Sequence, residues 1–97
     1  MARFATTIRF TDQGFKAIQD TTRRAKAFQA AAKKLGVKVV DLYWSLGTFD
    51  GLLILDAPDS QTATAAMLQL SAEGNVQTQT TEVFTAADME QVLAKLR

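Results

Sequence analysis

Cysteine and histidine are both missing from this 97-residue sequence, and each absence narrows its chemistry. Without cysteine there is no disulfide framework and no thiol chemistry. Without histidine the commonest general base and the commonest metal ligand are gone. An excess of one charge is missing too: 11 Lys and Arg oppose 10 Asp and Glu, a net of +1. A nucleic-acid or anionic-lipid partner calls for a strongly basic surface, so neither is expected. No apolar run is long enough to span a bilayer, and the opening MARFATTIRF has no hydrophobic signal core. The expectation is a cytoplasmic protein with no membrane contact.

What is present is the composition of an ordinary globule, 47% hydrophobic and 22% charged. The length suits one domain over residues 1–97. A chain of this size buries only about 60–65% of the surface it exposes when unfolded, so a partner chain would add needed burial.

Residues 3–10, RFATTIRF, alternate: Phe4, Thr6, Ile8 and Phe10 share one face, and Arg3, Ala5, Thr7 and Arg9 the other. That pattern predicts a strand with one face on a core. Thr11 suits a helix N-cap. Phe15, Ile18, Thr22, Ala25, Phe28, Ala32 and Leu35 then recur every three or four residues, a stripe along one helix that Gly36 ends. Asp20-Thr21-Thr22 marks a kink or second cap. Residues 37–46 read as a strand with Val40, Leu42, Trp44 and Leu46 on one face and Val39, Asp41, Tyr43 and Ser45 on the other. Residues 51–57, GLLILDA, are apolar on both faces and predict a central strand. Pro58 breaks it, Asp59 or Ser60 caps a helix with Ala63, Ala66, Met67 and Leu70 inward, and Gly74 stops that helix. Residues 75–84 read as a more exposed strand. Thr85 and Asp88 have capping-box spacing before a last helix with Met89, Val92, Leu93 and Leu96 on one side.

The order is β-α-β-β-α-β with an extra C-terminal helix, an α+β, ferredoxin-like arrangement around a four-stranded antiparallel sheet. Helices cover only one face of such a sheet. Aliphatic residues on the uncovered face predict a second copy against it, in a homodimer or a multiple of dimers built as a dimeric α/β barrel. Its interior would be lined by Thr7, Arg9, Asp41, Tyr43 and Ser45.

Between the second and third strands lies SLGTFDG, where Gly47 can take positive φ and Asp50 can bond backbone N–H groups. A turn is favoured over a binding site. LGTFD, followed by an aliphatic run and DAPDS, resembles the GYD family, small bacterial and archaeal proteins named for a Gly-x-Tyr-Asp hairpin. AAAKKLGVKVVDLYWSLG and EGNVQTQTTEVFT extend the resemblance over nearly the whole chain. Gly47 and Asp50 match the motif, Phe49 replaces its tyrosine, and Gly51 stands where the pattern prefers a larger apolar residue. The resemblance implies a ferredoxin-like fold that assembles through its sheets, and assigns no activity.

Arg9, Asp41, Tyr43 and Ser45 are the ligand-binding candidates. Arg9 offers a bidentate fork to an anion, against an ion pair with Asp41 or a partner carboxylate, which is favoured. Tyr43 suits a ligand pocket and a dimer interface equally. Trp44 reads as core. Arg23, Arg24, Lys26, Lys33 and Lys34 read as a solvated helix face. RNA-recognition domains of similar fold stack bases on aromatics of the central strands, and the third strand here offers only aliphatics. Asp50, Asp56 and Asp59 are too spread for a metal loop, and no phosphate-binding glycine loop or Gly-x-Ser-x-Gly occurs. No metal and no cofactor are expected.

Three readings follow: a non-catalytic module binding a small molecule or a protein partner, a cofactor-independent dimeric α/β-barrel enzyme of monooxygenase or isomerase type, and a purely structural assembly subunit. The enzyme reading rests on fold analogy alone.

Overall fold

A computed structural model describes residues 1–97. Nine consecutive residues form β1 (Ala2–Phe10), and Thr11 caps α1 (Asp12–Lys16) by accepting the Gly14 N–H. A 3-10 turn at Ile18–Asp20 leads into α2 (Thr21–Lys34), so the anticipated kink is a full break. There follow β2 (Lys38–Trp44), β3 (Gly51–Ala57), α3 (Ser60–Ala72), β4 (Val76–Val83) and α4 (Ala86–Ala94). The strands form one antiparallel sheet in the order β2-β3-β1-β4. This is the ferredoxin-like α+β arrangement expected.

Cap chemistry sets the helix ends. Asp59 accepts the Thr62 N–H at 2.7 Å, and Thr85 and Asp88 form the reciprocal capping box. Gly36 and Gly74, both at φ 83°, end α2 and α3 in a left-handed conformation that a side chain rarely adopts.

The core lies between the sheet and α2 and α3. Phe4 and Ile8 of β1, Leu53, Leu55 and Ala57 of β3, and Val76 meet Phe28, Ala32, Ala63, Ala66 and Met67. Thr6 is also fully buried there, its hydroxyl satisfied by Thr80 Oγ1 at 2.7 Å.

Two details of the predicted pattern change. The break after α1 turns Phe15 out of the stripe: it is 53% exposed and packs edge-on against Phe10. A β-bulge lies between Val39 and Asp41. Val39 therefore pairs with buried Leu55 and packs against the core, while Asp41 and Tyr43, paired with Ile54 and Leu52, face the opposite side. Strict alternation would put Val39 on the face of Asp41.

Candidate functional site

The register assigns the residues of the face opposite α2 and α3. One row runs Lys38, Asp56, Arg3, Val83. The next runs Asp41, Ile54, Ala5, Thr81, and the third Tyr43, Leu52, Thr7, Gln79. Arg9 and Gln77 form the last pair. Leu52 and Ile54 thus sit in mid-sheet, half-buried, with Tyr43 beside them 55% exposed.

Arg3 grips Asp56 with two hydrogen bonds, of 2.8 and 3.0 Å. That contact raises the Arg3 pKa and lowers that of Asp56, the hydrogen bond leading and charge attraction adding to it. Asp59 and Asp88 are also lowered, each by the backbone N–H groups it caps. All of these shifts have structural causes. Because each carboxylate has a folded pKa below its unfolded value of about 3.9, its contribution is present above that pH and lost as pH falls further. Urea midpoints should hold steady from neutral pH down to about 5 and drop below about 4, with a smaller drop in Asp56→Asn. An unchanged acid limb in that variant would remove the Arg3 pair from the account.

The predicted candidates do not converge. Asp41 and Tyr43 lie on edge strand β2, while Arg9 lies near the end of β1, one residue before Phe10. Arg9 makes no ion pair with Asp41; the two ion pairs are Arg3–Asp56 and Asp20–Arg23. Instead the Arg9 guanidinium donates to the Thr48 carbonyl at 3.2 Å, holding the 45–50 loop against β1. Ser45 stands in that loop, exposed, its N–H bonded to the Asp50 carbonyl at 2.9 Å.

Asp50 is the loop's anchor. Its carboxylate accepts the Phe10 N–H at 2.9 Å, and its own N–H donates to the Ile8 carbonyl at 2.7 Å. Gly51 then passes close to β1: a Cβ there would lie 3.5 Å from that of Ile8 and 3.2 Å from the Tyr43 carbonyl. Phe49 is half-buried, and Gly47 is exposed with positive φ. These two bonds staple the joint to the end of β1.

Sequence reasoning missed a cavity of about 60 Å³ on the helix side. Ile8, Phe28, Leu42, Leu53, Leu70 and Val76 line it, with Arg24, Glu73 and Asp50 completing the wall. Trp44, expected in the core, stands there 45% exposed, its indole N–H donating to Thr21 Oγ1 at 2.9 Å. Its strand neighbour Gly51 has no side chain to cover it. Arg24 is occupied by the Ala17 carbonyl at 2.6 Å. Small-molecule sites usually enclose about 300–1,000 Å³, so this space fits no ordinary metabolite.

The sheet order and its one-sided helices define a ferredoxin-like α+β domain, and solved structures share it. The crystal structure of MtbAldR superposes with a TM-score of 0.68 at 14% identity, over 87% of this chain and 53% of that one. TTHA0845 from Thermus thermophilus matches with a TM-score of 0.56 at 24% identity, over 89% of this chain and 96% of the other. The GYD domain model matches residues 4–93, and the chain belongs to that family. A Thermus thermophilus relative, the glutamine synthetase and cystathionine beta-lyase binding protein, is 33% identical over 90 residues, 92% of this chain and 95% of its own length. No helix is long and apolar enough to cross a membrane.

Proposed function

We propose that this chain is a non-catalytic protein-binding module, a single folding unit that works as a homodimer or a multiple of dimers. The open sheet faces of two copies close on one another as a dimeric α/β barrel, with Arg9, Asp41 and Tyr43 in the interface. The observation that carries this reading is the placement of Leu52 and Ile54 at the middle of the face that α2 and α3 leave open. Apolar residues there gain from exclusion of water, at about 25 cal/mol per Å² buried. The candidate ionisable groups are scattered and do not converge on one site, which favours a binding partner over a reaction. The 33% identical relative, by its name, binds two enzymes. Glutamine synthetase and cystathionine beta-lyase from the organism that makes this chain are therefore the partners to try first.

Sedimentation velocity, native mass spectrometry and biosensor binding to the two enzymes test the reading together. The wild type is expected to sediment as a dimer or larger and to bind at least one enzyme. Leu52→Asp should stay folded and lose mass, because a charge then sits in the paired faces. A monomeric wild type would overturn the assembly, and failure to bind either enzyme would overturn the partner assignment. A reproducible bound small molecule would shift the reading to ligand binding.

A further inference from the structure

The two edges of the sheet differ in a way the sheet-face pairing does not use. Edge strands invite pairing with other chains, and proteins blunt them with charges, prolines and bulges. β2 has such devices: Lys38, Asp41 and the bulge between Val39 and Asp41. β4 has almost none. It pairs with β1 from Val76 to Val83 with no register break, carries no lysine or proline, and has Glu82 as its single charge. β1 is its only neighbour, and no β4 backbone group is bonded outside that ladder.

The surroundings of this edge are neutral as well. From Ser60 to Thr81 the only charged residue is Glu73, which lies on the wall of the small cavity. By contrast α2 carries Arg23, Arg24, Lys26, Lys33 and Lys34. A groove of about 430 Å³ separates α3 from β4, with Leu68, 66% exposed, on one side and Thr78, Thr80 and Glu82 on the other. Depletion of charge is a compositional mark of interface cores.

We propose that β4 is a self-association edge, at which the β4 strands of two copies pair antiparallel about a two-fold axis and join two four-stranded sheets. This interface is separate from the sheet-face pairing and does not depend on it. A second copy is the occupant because the strip is compatible with itself. Directly opposed residues of an antiparallel pair share a face. An axis at Gln79 therefore sets Glu82 against the other copy's Val76, and an axis at Thr80 sets it against the other copy's Thr78. In neither register does Glu82 meet its own counterpart. A foreign strand chosen by charge would find nothing here to choose it.

The absence of cysteine makes single-cysteine cross-linking specific. Gln79→Cys lies on or beside the axis and, treated with a short bismaleimide, is expected to run as a covalent dimer. Asp41→Cys, on the guarded edge, should stay uncross-linked in the Leu52→Asp background, where sheet-face pairing is removed. Gln79→Cys should still cross-link in that background. Absence of the Gln79→Cys cross-link, or an equal one from Asp41→Cys in the same background, overturns the proposal. If Leu52→Asp leaves sedimentation unchanged, only the sheet-face reading falls.

Discussion

Replacing Gly14 with alanine should lower the free energy of unfolding by about 1–3 kcal/mol, or more if the backbone resists. Gly14 is buried in α1, and a Cβ there would run into the carbonyl oxygen of Asn75, a backbone atom that cannot rotate away. The contact is held shut from several directions. Thr11 N–H donates to that same oxygen at 3.1 Å, and the Thr11 hydroxyl donates to the Gly74 carbonyl at 2.6 Å. Gln13 Nε2 donates to the Glu73 carbonyl and to Asn75 Oδ1, each at 3.0 Å. Alanine favours a helix over glycine by about 1 kcal/mol, which offsets only part of this cost. Urea unfolding checks it. A neutral or stabilised variant would mean that α1 slides freely along the start of β4.

Asp50→Ala should cost about 1–3 kcal/mol, because it strands the half-buried Phe10 N–H without its acceptor. The same change frees the 45–50 loop from β1, leaving only the Arg9 to Thr48 bond and backbone contacts. Asp50→Asn keeps an acceptor oxygen and should recover much of the loss. Partner binding measured below the unfolding transition should be retained in both. Lost binding with unchanged stability would instead make the joint a contact site.

The order of elements was legible because each carried its own local signal. Thr11, Asp59 and Thr85 cap helices as their chemistry suggests, and the Phe4 to Phe10 alternation faces the core as its period requires. The bulge was not legible, because VKVVDL offers valines on both sides of any break and only pairing with β3 chooses among them. The exposure of Trp44 was hidden too, because its burial depends on its neighbour across the sheet, a glycine from the next strand. The cavity depends on residues from several elements meeting, as Phe28, Leu42, Leu70 and Val76 do. The bond from Asp50 to Phe10 spans 40 residues. A turn residue's distant partner is invisible in a local pattern, although its presence beside Gly51 marked the turn itself.

The sheet order also dictates a sequence of events during folding. β2 and β3 are neighbours in the chain and in the sheet, so their hairpin closes locally. β1 is central, and its partners are β3 and β4: Phe4 lies between Leu55 and Glu82. Contacts of such long sequence separation slow folding, because loop closure precedes the gain. On the ribosome the N-terminal strand emerges first. Its apolar side, Phe4, Ile8 and Phe10, therefore stays without a sheet until β3 arrives, and its second neighbour is supplied only when β4 has been made. The strand synthesised earliest is the last to have both of its edges filled.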